Sequence, residues 1–139
     1  MIVLDTNVLS EALRPQPDAN VLAWLQSITG DVAITSITLA ELLAGVRRLP
    51  DGRRKTVLGN QLETALRPYR GTSAVLAFDD TAADHYAAVL VAREQAGPPI
   101  STADAQIAAI CRAHAATCAT RNTKGFELTG IPLVDPWAA

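Results

Sequence analysis

The stretch MIVLDTNVL, residues 1–9, places a carboxylate directly after an apolar run. Ile2–Leu4 has the composition of a buried strand, and Asp5 ends it. The chain continues as a short helix over Asn7–Leu13, which two following prolines close. An acid with buried neighbours is poorly placed for a surface salt bridge. Asp5 is therefore predicted to be either the N-cap of the following helix or part of a functional site.

Short apolar runs and longer helical patterns alternate along the rest of the chain. The further strands are predicted at Val32–Thr35, Ala74–Phe78, Thr117–Ala119 and Ile131–Val134. The further helices are predicted from an Asp18 cap to about Ile28, at Ile37–Leu49, Arg53–Leu66 and Thr81–Gln95, and from a Ser101–Asp104 capping box to about Ala115. Strands separated by helices indicate βαβ units. The predicted fold class is α/β, with a mostly parallel sheet of about five strands flanked by helices.

Length and composition limit the class of protein. The chain has 139 residues, of which 49% are apolar and 19% charged. This length suits one domain over residues 1–139, and the composition excludes disorder as the main state. The apolar runs are too short for a membrane span, and the N-terminus lacks the basic region of a signal peptide. Cys111 and Cys118 make no disulfide framework and are predicted to be small buried hydrophobes in a protein of the reducing cytoplasm.

Opposite charges are concentrated in different parts of the chain. Residues 45–70 hold seven basic and two acidic side chains, a net charge of +5, and the remainder carries −7. The basic stretch is either a solvated helical hairpin or an electrostatic footprint for a polyanion beside an acidic pocket. Its first part contains Arg47, Arg48, Arg53, Arg54 and Lys55.

Two further acids lie on predicted helices and share a helix face with apolar or small residues. Glu41 shares a helical stripe with Ile37 and small residues, although a surface acid near Arg48 fits the same pattern. Asp104 aligns with Ile107 on a strongly apolar helix, one turn from the helix start. It is either an inward-facing functional acid or an ordinary first-turn acid that serves the helix dipole.

Asn122 follows the fourth predicted strand, as a functional amide or as a turn residue. The three acids and this amide occupy positions that converge on one edge of a doubly wound sheet. Carboxylates clustered without His or Cys partners favour a hard cation such as Mg²⁺ or Mn²⁺ over zinc. No glycine-rich dinucleotide motif, Walker loop or nucleophile elbow is present, so those reaction classes have no support.

The order of these motifs resembles that of the PIN-domain nucleases, in particular the toxin subunits of VapBC-type toxin–antitoxin pairs. The matching stretches are Met1–Leu9, Ile34–Gly45, Gly97–Ile110, Ala119–Phe126 and the Asp-Pro-Trp ending. They span nearly the whole chain in the family's order and spacing. The resemblance implies a PIN-like α/β/α domain over residues 1–139.

The resemblance also implies a catalytic set. Asp5, Glu41 and Asp104 match the family's three acidic metal-site positions, and Asn122 matches a fourth position, where many members carry Asp. The implied cofactor is Mg²⁺ or Mn²⁺, held by Asp5, Asp104 and Glu41. Thr6 and Asn122 are expected to complete the outer shell.

The implied activity is that of a metal-dependent endoribonuclease toxin of a type II toxin–antitoxin system. The implied partners are a cognate antitoxin that occupies or blocks the acidic groove and a second copy of the chain in a homodimer, with no membrane. Arg121 and Lys124 near the site, together with the basic stretch, are the expected contacts of the RNA backbone. An aromatic content of 4% gives no stacking platform, which favours a structured RNA such as tRNA.

Departures from the family pattern leave an alternative open. Asn122 has one charge less than the Asp common there, and Gly125 stands where close relatives often carry another Asp. The alternative is a catalytically weak or inactive PIN-like regulator that binds RNA or protein. A phosphoaspartate receiver or a haloacid-type phosphatase is poorly supported, because the first needs a paired acid and the second needs an Asp where Asn7 stands.

Overall fold

The computed structural model describes all 139 residues and contains a five-stranded sheet with helices on both faces. The strands are β1 (Ile2–Leu4), β2 (Val32–Thr35), β3 (Val75–Leu76), β4 (Thr117–Ala119) and β5 (Leu133–Val134). The helices are α1 (Thr6–Ala12), α2 (Ala19–Ser27), α3 (Ser36–Arg47), α4 (Arg53–Leu66), α5 (Asp80–Ala96), α6 (Thr102–Ala113) and a 3-10 helix at Thr123–Phe126. The predicted α/β class is confirmed.

All strand pairs are parallel, in the order β3-β2-β1-β4-β5. The first strand of the chain is therefore the central strand of the sheet. Strand order reverses at β1, because the chain goes from β1 to β2 on one side and later to β4 on the other. The carboxyl ends of β1 and β4 meet at this switch point, which is where doubly wound sheets place their ligands.

The core lies on both faces of the sheet. Val3 belongs to one buried cluster, with residues of α5 and α6, whereas Leu4 belongs to a second cluster with residues of α1 to α4. This division follows from the alternation of side chains along a strand. Cys111 and Cys118 are free and fully buried in the first cluster, as predicted.

Helices α1, α5 and α6 differ from the predicted boundaries by one or two residues, and the larger differences are at β3, β5 and the end of α3. The two edge strands β3 and β5 are two residues long each, because each has a neighbour on one side only. Helix α3 stops at Arg47 instead of Leu49, since the residue before Pro50 is disfavoured in helical conformation. The 3-10 helix after β4 was not predicted. No helix is both long and apolar enough to cross a membrane.

Candidate active site

Asp5 is buried at the carboxyl end of β1 and is 4% exposed. One carboxylate oxygen accepts the Thr6 backbone N–H at 2.8 Å, so Asp5 is the N-cap of α1. The other oxygen accepts the Thr120 hydroxyl at 2.8 Å and the Asn7 side-chain amide at 3.3 Å. Asp5 is therefore the N-cap of α1, one of the two roles that the sequence left open, and it lies at the sheet's switch point.

Burial and hydrogen bonding shift the pKa of the Asp5 carboxyl in opposite directions. Burial raises the pKa of its carboxyl above the ordinary value, and the bonds from Thr120 and Thr6 oppose this. The negative charges of Asp104 and Glu41 raise the pKa further. Asp104 and Glu41 are therefore near enough to Asp5 for their charges to act on its carboxyl.

Asp104 lies half-buried in the first turn of α6. The Ser101 hydroxyl caps this helix by accepting the Asp104 backbone N–H at 3.1 Å, so one half of the predicted capping box forms. The carboxylate of Asp104 accepts the Asn122 side-chain amide at 3.1 Å instead of reaching the Ser101 backbone. Burial raises the pKa of Asp104, and bonds from Ser101 and Asn122 and the charge of Arg93 oppose the rise.

Asn122 joins Asp104 to the 3-10 helix. Its side-chain oxygen accepts the Gly125 N–H at 3.3 Å, and its own backbone N–H donates to the buried Thr120 hydroxyl at 3.0 Å. The amide nitrogen therefore faces Asp104, and the oxygen faces the helix. A Cβ atom at position 125 would overlap that amide nitrogen and lie 2.8 Å from the Asn122 Cγ. The absence of a side chain at Gly125 is what allows this conformation of Asn122.

Glu41 reaches the site from the middle of α3 and is exposed. Its carboxylate accepts the Thr6 hydroxyl at 2.8 Å, and that hydroxyl also lies 3.1 Å from the buried Thr38 hydroxyl. Arg48 forms no ion pair with Glu41. The structure therefore places Glu41 beside the N-terminus of α1, with Thr6 between it and Asp5.

Several residues of the site have no counterpart in the sequence-based prediction. Thr120 follows β4 directly and is fully buried against Asp5; the strand-end rule that singled out Asp5 applies to it equally. Asn7 bridges two elements by donating to Asp5 and accepting the Arg121 backbone N–H at 3.2 Å. Because these partners are more than 110 positions apart in sequence, only the fold reveals their contact.

Arg93 is a buried cation that donates hydrogen bonds to backbone carbonyls near the site. It is 4% exposed and has no carboxylate partner within ion-pairing distance. Its guanidinium donates to the carbonyls of Gly125 at 2.7 Å and Glu127 at 2.9 Å on one side, and to Pro99 at 2.8 Å on the other. It thereby ties the 3-10 helix next to Asn122 to the loop that leads into α6. No sequence pattern distinguished this arginine.

A groove of about 790 Å³ begins at Thr6 and Glu41 and runs between α1, α3 and α4. Its walls combine apolar side chains with Arg14 and Arg54. Arg54 is the member of the predicted basic stretch that lines this groove. Lys55 is engaged elsewhere, with its ammonium 3.2 Å from both the Arg47 carbonyl and the Asp51 carboxylate.

The donor atoms of the site fit a hard cation, although no three His, Cys, Asp or Glu side chains converge closely enough to form a ready cage. Carboxylate oxygens and hydroxyls are the ligands preferred by Mg²⁺ and Mn²⁺. Both carboxyls with raised pKa lack a cationic side chain in direct contact. A divalent ion would relieve their repulsion. His85 and His114 are not involved; His114 is the exposed C-cap of α6.

Comparisons with known proteins identify the family of the chain. The sequence model of the PIN domain matches residues 2–131. The chain is 43% identical to "Toxin FitB" of Neisseria gonorrhoeae over 138 residues, covering 99% of both chains. It is 40% identical to "VapC ribonuclease Y4jK" of Sinorhizobium fredii over 138 residues, covering 99% of this chain and 98% of the relative.

Solved structures show the same fold. The crystal structure of FitAcB from Neisseria gonorrhoeae matches with a TM-score of 0.92 and 42% identity, covering 100% of both chains. VapBC2 from Rickettsia felis, bound to a DNA fragment from its promoter, matches with a TM-score of 0.81 and 28% identity, covering 96% of this chain and 98% of that one. Family model, sequence identity and fold coincide over nearly the full length, and the chain belongs to the PIN domain family.

Proposed function

We propose that this protein is a metal-dependent endoribonuclease and the toxin of a type II toxin–antitoxin pair. The observation that carries the proposal is the buried carboxylate of Asp5, at the sheet's switch point, close to two further acids and without a cationic partner. Proteins rarely bury an acid unpaired unless it serves chemistry or a metal. Two relatives, one named as a toxin (43% identical) and one named as a ribonuclease (40% identical), support the same activity here.

Asp5, Asp104 and Glu41 are the proposed holders of Mg²⁺ or Mn²⁺, and Thr6 and Asn122 form the surrounding shell. The ion, when bound, supplies charge neutralisation for a phosphodiester and lowers the pKa of bound water. The exposed carboxylate of Glu41 accepts the proton of an attacking water. The Thr6 N–H and the hydroxyl of Thr120 hold Asp5 in one orientation, and Asn122 holds Asp104.

The proposed substrate is a structured RNA such as tRNA. The positive charge in residues 45–70 would attract the phosphate backbone toward an otherwise acidic site. This proposal is supported by Arg54, which lines the groove, and by Arg121, which stands beside Asn122. Arg47, Arg48, Arg53, Lys55 and Lys124 remain predicted contacts of the outer path.

The groove beside Glu41 is the proposed seat of the antitoxin. A segment lying in it reaches Thr6 and Glu41, so its presence would block access to the acids. Its apolar walls fit aliphatic side chains, and Arg14 and Arg54 fit acidic ones. We also propose that residues 1–139 act as one domain and associate as a homodimer; light scattering of the purified protein tests the second point.

An RNA cleavage assay on antitoxin-free protein tests the activity. Total RNA containing tRNA is incubated with Mg²⁺ or Mn²⁺, with EDTA, and with an Asp5→Asn variant. Glu63→Gln is the matched control, because it removes an exposed acid of α4 away from the site. We expect discrete fragments only with metal, in the wild type and in Glu63→Gln. Cleavage by Asp5→Asn at the wild-type rate would exclude the proposed site.

A second candidate is a PIN-like regulator that binds RNA or protein without cleaving it. The amide at position 122, the glycine at 125 and the absence of three converging acids favour it. Folded protein that binds Mn²⁺ in calorimetry and leaves every RNA intact in the assay would support this alternative over the nuclease.

A further inference from the structure

Arg121 is an exposed arginine at the rim of an acidic site, yet it pairs with no acid. It stands between Thr120 and Asn122, whose side chains contact Asp5 and Asp104. Guanidinium groups near carboxylates commonly form bidentate pairs with them. Here no carboxylate lies within ion-pairing distance of Arg121. Its Cζ atom instead lies 5.0 Å from the centroid of the Trp137 ring.

The main chain of Arg121 is fixed relative to the site. Its N–H donates to the Asn7 side-chain oxygen at 3.2 Å, and the amide nitrogen of Asn7 donates to the Asp5 carboxylate at 3.3 Å. One side chain therefore separates the backbone of Arg121 from the buried acid. These bonds fix the backbone of Arg121 but not the direction of its side chain. The side chain contacts the Trp137 ring.

Trp137 is itself anchored. Its backbone N–H donates to the Asp135 carboxylate at 2.9 Å, and its carbonyl accepts the side-chain amide of Asn20 on α2 at 3.0 Å. Its ring is partly buried against the core cluster on the α2 side of the sheet. The ring is thus a fixed surface at the end of the chain.

We propose that Arg121 binds an RNA phosphate beside the scissile bond, and that Trp137 is the positioning residue that holds its guanidinium away from the carboxylates. A guanidinium held over a ring keeps its in-plane N–H groups free, and these donate two parallel bonds to a phosphate. The inference rests on the proposed function, because it concerns the substrate of the same site.

Three variants test it. Trp137→Leu keeps apolar packing and removes the aromatic face, Trp137→Phe keeps the face, and Arg121→Gln removes the charge. Each is made in wild type for cleavage kinetics and in a Glu41→Gln background for binding without cleavage. Binding of unfractionated tRNA is measured by filter retention at several salt concentrations, with thermal unfolding and Mn²⁺ calorimetry as checks of fold and metal site.

We expect Arg121→Gln to weaken tRNA binding about fivefold and to reduce the salt slope by about one phosphate contact. Trp137→Leu should lose most of the tRNA affinity that Arg121 contributes, and it should raise KM more than it lowers kcat. Trp137→Phe should bind and cleave RNA nearly as the wild type does. The double variant should be no weaker than Arg121→Gln alone. Mn²⁺ affinity should not change.

Two outcomes overturn the inference: wild-type binding and salt slope in Trp137→Leu, or losses that add fully in the double variant. A loss confined to Mn²⁺ affinity or thermal stability would assign Trp137 a merely structural role. The proposed function is tested separately by wild-type cleavage, because binding in the Glu41→Gln background is measured whether or not the wild type cuts RNA.

Discussion

Replacement of Gly125 by alanine tests whether Asn122 holds Asp104 in the way the structure shows. Gly125 is not among the glycines with positive φ, so its backbone suits alanine. On backbone grounds alone, Gly→Ala should stabilise the protein by about 0.5 kcal/mol, because it restricts the unfolded chain. The added Cβ, however, overlaps the Asn122 amide.

The size of the effect follows from the bonds that Asn122 would lose. Displacement of its side chain breaks the bond to Asp104 and the cap on the Gly125 N–H. Two such bonds contribute about 1–2 kcal/mol together. After the backbone gain is subtracted, Gly125→Ala should destabilise the protein by about 1 kcal/mol, a fall in Tm of roughly 4 °C. The backbone effect alone predicts a more stable variant, whereas loss of the Asn122 bonds predicts a less stable one.

The control is the same substitution where no overlap exists. In an Asn122→Ala background the added methyl meets no amide, so Gly125→Ala should be neutral or stabilising there. The four proteins are compared by urea and thermal unfolding followed by circular dichroism. Because Asn122 lowers the pKa of Asp104, Gly125→Ala should also raise that pKa in a carboxyl NMR titration. Stabilisation by Gly125→Ala in the wild-type background would refute the reasoning.

Four further outcomes are expected. Asp5→Asn should abolish RNA cleavage and leave Tm at neutral pH equal or higher; a large loss of stability would show that its hydrogen bonds outweigh its buried charge. Burial raises the pKa of Asp5 and Asp104 above 3.8, so their stabilising contribution in metal-free protein is complete below that value and is lost as pH rises through the folded pKa. In thermal unfolding with EDTA, the difference in Tm between wild type and Asp5→Asn should therefore widen as pH rises. A difference in Tm that stays constant with pH would contradict this. Arg93→Lys should destabilise the protein by about 2 kcal/mol in urea unfolding, because an ammonium cannot reach every carbonyl that the guanidinium binds. Asn122→Asp should tighten Mn²⁺ binding in calorimetry, and unchanged or weaker binding would mean that residue 122 points away from the ion.

Local patterns in the sequence were sufficient to predict the elements that are decided locally. Strands β1, β2 and β4 and helix α4 have the predicted boundaries, because apolar runs and turn residues delimit them. The edge strands came out shorter, since their length depends on pairing with a neighbour and not on their own composition. The position of Asp5 at the sheet's switch point was predictable, because it directly follows the first apolar run.

What the sequence did not reveal depends on distant partners. Thr120 and Arg93 act through atoms that only the folded chain brings near. The direction of the Asn122 amide depends on the empty space at Gly125, which no composition or periodicity encodes. The contact between Arg121 and the Trp137 ring likewise joins residues that only the folded chain brings together.

The central position of β1 bears on synthesis of the chain. The first strand to leave the ribosome pairs with β2 and, across more than 110 residues, with β4. Asp5 therefore has no Thr120 hydroxyl to accept from until residue 120 has been made, and Arg121 has no Trp137 ring to contact until residue 137 has been made. Parallel pairing over such separations is also slow. A nascent chain of the proposed nuclease therefore has no assembled candidate site until translation has passed Asn122.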